Sequence, residues 1–146
     1  MLLAMCDTNY IFVSIDIGAY GRQSDGGIFK HSLLDQKLEA NTMDLPAPKP
    51  LWENGPDLPY VIVADEAFPL TPYLLRPYSG KDGLSTEQRI YNYRLSRARR
   101  MIENLFGILT SQWRIFRRPI LASVENVIKI VQATICLHNF FTKEQY

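Results

Sequence analysis

The longest regular feature of this sequence is a helical repeat of apolar residues over residues 86–111. Apolar side chains recur there every three or four residues, which is typical of one face of an amphipathic helix. The residues of this stripe are Tyr91, Leu95, Ala98, Ile102, Leu105 and Leu109. Ser85, Thr86 and Glu87 favour a helix start at its N-terminal end. The pattern therefore predicts a long helix that packs one face against a core.

Shorter elements are predicted on both sides of this helix. A hairpin is expected from residues 2–6 and 11–18, where Ile11, Val13, Ile15 and Ile17 alternate with other side chains. The sequence next predicts a helix over 28–41 and a strand over 61–64, which is apolar enough to be buried on both faces. A weaker strand is predicted over 74–78 and a helix over 124–142. The last helix is expected to turn inward Val127, Ile130, Val131, Thr134 and Leu137. This order predicts an α/β or α+β domain.

Length and composition limit the class of protein. A chain of 146 residues is expected to form one domain. Residues 44–59 hold five of the nine prolines, which predicts a surface loop. No apolar run approaches the roughly 18 residues of a membrane span, so no membrane partner is expected. Two cysteines cannot form a disulfide framework, and Cys6 and Cys136 suit buried, reduced thiols.

Two acidic residues stand out as candidates for chemistry. Asp65 follows the predicted strand at 61–64, and carboxylates at strand ends can hold a hard cation. The competing interpretation is that Asp65 ends the strand or caps a turn. Glu103 falls on the flank of the long helix, where it can face a site or form an ion pair with Arg99 or Arg100.

Basic residues are concentrated in one region although the net charge of the chain is only +1. Seven arginines occur within residues 94–118, around a tryptophan and a phenylalanine. Such a patch can bind nucleic acid through its phosphates, or it can be a solvated helix face and a basic turn. His31 and His138 have no ligand-spaced partners, so both are predicted to be structural.

Four blocks of sequence, taken together, resemble the PIF/Harbinger type of DDE transposase and the nucleases derived from it. They are DIGAYGRQSDGGIFKHS, VIVADEAFPLTPYLLRPY, YNYRLSRARRMIENLFGIL and CLHNFF. The resemblance implies an RNase H-like α/β fold, a mixed sheet with flanking helices, in which three acidic residues hold two Mg²⁺ or Mn²⁺ ions for hydrolysis of DNA. It assigns metal binding and catalysis to Asp65 in ADEAFPL and to Glu103 in RRMIENLFGIL, 38 residues apart.

Within the basic patch, Arg97, Arg99 and Arg100 are expected to contact the DNA backbone. The resemblance implies a Myb-like DNA-binding protein as a partner, and we expect the nucleus, or also the cytoplasm, as the location. We expect the carboxylates of Asp65 and Glu103 to lie within about 8 Å of each other, a separation that bridging cations can span.

One feature of the family pattern is missing. The first catalytic aspartate of the family lies on a strand upstream of the segment that resembles residues 2–18, so we expect a chain truncated at its N-terminus with an incomplete active site and little or no nuclease activity of its own. Asp7 and Asp16 match no catalytic position, whereas Asp25 matches a recurrent aspartate of the family. The alternatives are an inactive remnant that binds DNA or protein and an unrelated α/β binding domain.

Overall fold

The structure is a computed structural model that describes residues 2–18, 25–30, 32–43, 45–80 and 82–144. Its elements in chain order are β1 (Leu2–Cys6), β2 (Phe12–Ile17), α1 (Asp25–Lys30), α2 (Leu33–Glu39), β3 (Lys49–Pro50), β4 (Asp57–Leu58), β5 (Ile62–Val63), β6 (Leu74–Leu75), α3 (Thr86–Gln112), a 3₁₀ turn (Arg114–Arg117) and α4 (Val124–Glu144). The chain divides into two compact units. The terminal unit is Met1–Arg22 with Arg100–Tyr146, and the central unit is Gln23–Arg99.

A β-bulge sets the inner face of the hairpin in the terminal unit. β1 and β2 pair antiparallel from Leu2 opposite Ile17, but the register shifts between Met5 and Cys6, and Val13 falls in the bulge. An extra residue reverses the alternation of side chains along a strand. Phe12 is consequently buried and Val13 is 51% exposed, so the alternation of Ile11, Val13, Ile15 and Ile17 does not continue on one face across the bulge.

The core of the terminal unit joins the hairpin to both long helices. Its buried members are Phe12 from β2, Leu105 and Leu109 from α3, and Ile135 from α4. Leu105 has no exposed surface at all. The α3 stripe that periodicity predicts is thus confirmed for these leucines, while Ala98 lies exposed on the same helix.

Two polar residues of α4 fix the start of β2. Asn139 accepts a hydrogen bond from the backbone N–H of Phe12 (2.9 Å) and donates one to its carbonyl oxygen (2.8 Å), as a neighbouring strand would. The ring of His138 is 1% exposed, with Nε2 2.9 Å from the carbonyl oxygen of Tyr10 and Nδ1 3.2 Å from Oε1 of Gln112. The prediction that His138 is structural is confirmed, and His31 lies outside the described residues.

Ser32 divides the helix predicted over residues 28–41 into α1 and α2. Its hydroxyl donates to the carbonyl oxygen of Phe29 (2.7 Å) and accepts from the N–H of Asp35 (3.1 Å), which makes Ser32 the N-cap of α2. The buried apolar side chains of the central unit are Ile28, Phe29, Leu34, Leu38, Leu74 and Leu95.

The strands form three two-stranded sheets among the described residues. β3 and β4 pair antiparallel inside the proline-rich segment, and β5 and β6 pair parallel, with Ile62 opposite Leu74. The prediction that the strand at 61–64 is buried on both faces is wrong, because its residues are half-buried or exposed. The broader prediction of an α/β class is confirmed.

The long helices begin as the sequence indicates, but some of their faces differ. The Ser85 hydroxyl accepts from the N–H of Gln88 (3.3 Å), and the Gln88 side chain accepts from the N–H of Ser85 (2.9 Å), which is a capping box. On α4, Leu137 is 41% exposed and His138 takes the inner position instead.

Cys136 is exposed and Cys6 half-buried, so the expectation of two buried thiols is wrong. In the part of the chain that the structure describes, no helix is long and apolar enough to cross a bilayer.

Candidate metal centre and its arginine neighbours

Asp65 lies in a tight turn that follows β5 in the central unit. Strand pairing continues to the residue before it, since the N–H of Ala64 donates to the carbonyl oxygen of Leu75 (2.9 Å). The turn closes when the N–H of Phe68 donates to the carbonyl oxygen of Asp65 (3.3 Å). Oδ1 of Asp65 accepts from the N–H of Ala67 (2.9 Å). Asp65 therefore caps its own turn, as the competing interpretation of the sequence expects.

The second carboxylate oxygen of Asp65 lies near the guanidinium group of Arg99. Oδ2 lies 4.0 Å from Nη2 of Arg99, at the outer limit of an ion pair. The two side chains are 37% and 27% exposed, respectively, so water reaches both. The carboxylate is thus held by a backbone donor on one oxygen, and a positive charge stands near the other.

The backbone of the Asp65 turn is supported from three sides. The ring of Phe68 packs edge-on against Phe29 of α1, with centroids 5.5 Å apart. Gly26 of α1 lies so close to the carbonyl oxygen of Ala67 that a Cβ at position 26 would overlap it. Nη1 of Arg76 donates to the carbonyl oxygens of Glu66 and Phe68, both at 3.2 Å. Sequence reasoning missed Arg76, for which the only signal was a lone arginine between leucine and proline in LLRPY.

Glu103 occupies a different setting from Asp65. It is an exposed residue of α3 in the terminal unit, one position from Ile102 and two from Leu105, which pack in the core of that unit. Its backbone position is therefore set by a continuous 27-residue helix. Asp65 belongs to the central unit, and the close approach of the two carboxylates stays a prediction.

The three arginines predicted to contact DNA are all on α3. Arg97 stacks on the ring of Tyr93, with 5.9 Å between the guanidinium carbon and the ring centroid. Arg100 is exposed, whereas Arg99 is half-buried beside Asp65. In the 3₁₀ turn after α3, Arg117 donates to the carbonyl oxygen of Ser111 (3.4 Å). The basic side chains are thus spread along one helix and the turn that follows it.

The donor set of this region suits a hard cation. Carboxylate oxygens are the protein ligands that Mg²⁺ and Mn²⁺ prefer, and the half-exposed carboxylate of Asp65 can offer Oδ2. Within the described ranges, no group of three or more His, Cys, Asp or Glu side chains lies together as a ready-made metal site. Asp7 instead caps the β1–β2 turn by accepting from the N–H groups of Asn9 and Ile11. Asp25 is the first residue of α1, and its side chain lies outside the described part.

Comparisons with known proteins give the family context. A model of the DDE superfamily endonuclease family matches residues 1–139. The "Protein ALP1-like" of Arabidopsis thaliana is 30% identical over 139 residues, which cover 94% of this chain and 34% of that relative. The chain therefore spans about a third of the length of this curated relative. No solved structure matches the chain significantly.

Proposed function

Because the chain belongs to the DDE superfamily endonuclease family, we propose that it is a nuclease domain that hydrolyses phosphodiester bonds of DNA with Mg²⁺ or Mn²⁺. The observation that carries this proposal is the family match over residues 1–139, a range that includes both acidic candidates. Asp65 and Glu103 are the proposed catalytic residues and metal ligands, in an RNase H-like arrangement of the PIF/Harbinger type.

Each carboxylate has a defined part in this proposal. Asp65 keeps Oδ1 on the N–H of Ala67 and turns Oδ2 to the cation, so that Arg99 must give up its position near that oxygen. Glu103 supplies a second carboxylate from α3, whose backbone hydrogen bonds prevent it from shifting with the ligand. A bound metal would polarise the scissile phosphate and activate a water molecule.

The arginines of α3 are the proposed contacts to the DNA backbone. Guanidinium groups bind phosphate oxygens in pairs and release counterions from DNA, so affinity should fall steeply with salt and depend little on sequence. Replacing Arg97 and Arg100 with alanine should flatten the slope of log affinity against log salt concentration by up to about two units. An unchanged slope would remove these residues from the DNA contact. A Myb-like partner protein and a nuclear location belong to the same proposal.

Nicking of supercoiled plasmid DNA tests the enzymatic part of the proposal. The 146-residue chain is incubated with plasmid and Mn²⁺, in parallel with Asp65→Asn, Glu103→Gln and the matched control Glu66→Gln, an exposed neighbour of Asp65. Two carboxylates hold a dication weakly, so we expect little activity, in line with the expectation from the sequence. The slow nicking that remains should be abolished by the chelator EDTA and by the first two variants, and the control should retain it.

The same assay separates the two functions left open by the sequence. Binding of plasmid by the wild-type chain without any metal-dependent nicking would contradict the nuclease activity of these residues and would favour a module that binds DNA without turnover. Nicking that survives Asp65→Asn would contradict the assignment of the metal ligand.

A further inference from the structure

Arg76 folds back over the turn that carries Asp65. It follows β6 directly, and its Nη1 atom donates to the carbonyl oxygens of Glu66 and Phe68, each at 3.2 Å. These two carbonyls flank Ala67, the residue whose N–H holds Oδ1 of Asp65. One nitrogen atom of Arg76 thus holds the Glu66–Ala67 peptide group, whose N–H orients the Asp65 carboxylate, together with the carbonyl oxygen of Phe68.

The main chain of Arg76 is anchored to the start of α3. The hydroxyl of Tyr91 donates to the carbonyl oxygen of Arg76 (3.1 Å). Asn92 accepts from the N–H of Tyr78 (2.8 Å) and donates to its carbonyl oxygen (3.0 Å), and the rings of Tyr78 and Tyr91 pack edge-to-face 5.3 Å apart. Burial and the neighbouring Tyr78 raise the pKa of Tyr91, so its hydroxyl remains a donor at neutral pH. These contacts therefore fix the main chain of residues 76–78, from which the Arg76 guanidinium extends.

The pairing of β5 with β6 is too short to hold the Asp65 turn firmly by itself. β5 and β6 are two residues long, and β5 is half-buried. A ladder this short defines where the strand ends but fixes little beyond it. The carbonyl oxygens of Glu66 and Phe68 both accept from the Arg76 guanidinium, which gives them a charge-assisted partner.

We propose that Arg76 is a positioning residue that holds the Asp65 turn so that the Asp65 carboxylate can bind a divalent cation, an inference that rests on the proposed function. Arg76 acts through the carbonyls of Glu66 and Phe68 and does not bind the ion. Without it the two carbonyls turn to water, the contact from Ala67 to Asp65 opens, and the carboxylate loses its fixed direction. Partners that orient a metal ligand typically contribute about 10- to 100-fold to metal affinity.

The sign of the effect distinguishes positioning from simple electrostatics. Removing a positive charge near a cation site strengthens cation binding if the charge acts only through Coulomb repulsion. The positioning role predicts the opposite, namely that Arg76→Ala weakens Mn²⁺ binding by about tenfold. Arg89→Ala is the matched control, because it removes one positive charge from an exposed position of the same unit.

The conservative variant provides a rescue. Both hydrogen bonds originate from a single nitrogen atom, so the ammonium group of lysine has enough donors to restore at least one of them. Arg76→Lys should therefore recover part of the Mn²⁺ affinity that Arg76→Ala loses. Glutamine is uncharged and shorter, and Arg76→Gln should recover little.

Two measurements on folded protein test the proposal. Mn²⁺ affinity is determined from the electron paramagnetic resonance signal of free Mn²⁺, for wild type, the three Arg76 variants, Arg89→Ala and Asp65→Asn. Hydrogen exchange of the Ala67 amide is measured by NMR without metal, after urea unfolding has shown that each variant is folded. We expect faster Ala67 exchange and weaker Mn²⁺ binding in Arg76→Ala, with partial recovery of both in Arg76→Lys.

Failure of the inference and failure of the proposed function give different results. If Asp65→Asn weakens Mn²⁺ binding and folded Arg76→Ala binds Mn²⁺ as tightly as wild type or more tightly, the positioning role is overturned while the metal ligand stands. If Asp65→Asn leaves Mn²⁺ affinity unchanged, the metal assignment of the proposed function fails, and with it the role of Arg76 toward a cation.

Discussion

Asp65 and Glu103 are held in place by opposite means. Glu103 is part of a 27-residue helix whose inner face includes the fully buried Leu105, so its position follows from backbone hydrogen bonds and apolar packing. Asp65 follows a two-residue strand, and its turn is held by individual side-chain contacts, among them those of Arg76 and Phe68. Apolar substitutions should therefore disturb the terminal unit as a whole, whereas polar substitutions near Asp65 should change its chemistry while the fold persists.

Asp65 also has a cationic neighbour near its second carboxylate oxygen. Its side chain is 37% exposed and has an alternative partner in Arg99 at 4.0 Å. A cation and the guanidinium compete for the same oxygen, so the occupancy of the site depends on the balance between them.

The largest effect is expected from the core of the terminal unit. Leu105→Ala should lower the free energy of unfolding by about 2–5 kcal/mol, because a fully buried leucine loses its contacts and leaves a cavity. Urea denaturation followed by circular dichroism measures this change. Leu121→Ala, at a position that is 99% exposed, serves as the control and should stay within about 0.5 kcal/mol of wild type. A loss of similar size in both variants would contradict the core described for the terminal unit.

Alanine substitutions at two glycines compare how the Asp65 turn and α3 respond in stability to an added Cβ. Gly26→Ala should destabilise the protein by about 1–3 kcal/mol, because its Cβ would overlap the carbonyl oxygen of Ala67. Gly107→Ala on α3 meets nothing within 4 Å and should stabilise by about 0.5–1 kcal/mol through helix propensity. Thermal unfolding of the two variants should thus shift in opposite directions. Stabilisation by Gly26→Ala would mean that α1 does not support the turn.

Replacing Arg99 tests whether its guanidinium competes with a cation for the Asp65 carboxylate. Arg99→Gln removes the guanidinium near Oδ2 and should strengthen Mn²⁺ binding by up to about fivefold, the range that a partly exposed ion pair allows. Calorimetric titration with Mn²⁺ measures the change. Arg94→Gln, an exposed position of the same helix, is the control. Weaker binding in Arg99→Gln would show that Arg99 supports the site rather than competing with the cation.

The smallest effect is expected at the start of α3. The Ser85 hydroxyl donates to Glu87 (2.7 Å) and holds the pKa of that carboxyl below its ordinary value of 4.5. A lowered pKa in the folded protein adds stability above pH 4.5, and this contribution is lost as the pH falls through the folded value. Glu87→Gln should therefore have a slightly lower melting temperature than wild type at pH 7, and the difference should shrink at pH 3. A difference that is constant with pH would contradict this role.

Elements defined by a long repeat could be predicted from the sequence. The extent of α3 and α4, the hairpin, and the capping residues at Ser85 follow from periodicity and cap chemistry. The bulge at Val13 could not, because an alternating apolar run is compatible with either register until packing selects one. Ser32 ended α1 through its own hydrogen bonds, which outweighed the apolar spacing of residues 28–41.

The site was predictable only in part. Strand-end position and family resemblance singled out Asp65, whereas helix position left Glu103 open and the resemblance singled it out. Arg76 forms hydrogen bonds with Phe68 and Glu66, which lie eight and ten positions before it. These bonds depend on how the connection between β5 and β6 turns back. No sequence period encodes that path. The ion pair of Arg99 with Asp65 spans 34 positions and likewise depends on tertiary placement.

Paramagnetic broadening of backbone amide signals by Mn²⁺ tests the central claim most directly. Substoichiometric Mn²⁺ is added to ¹⁵N-labelled protein, with Mg²⁺ as the diamagnetic reference, for wild type and Asp65→Asn. The proposed shared site predicts that amides of residues 65–68 and 102–104 broaden together in wild type and that both effects disappear in Asp65→Asn. Broadening confined to one of the two segments, or broadening at 102–104 that survives in Asp65→Asn, would contradict the claim that Asp65 and Glu103 hold the same ion.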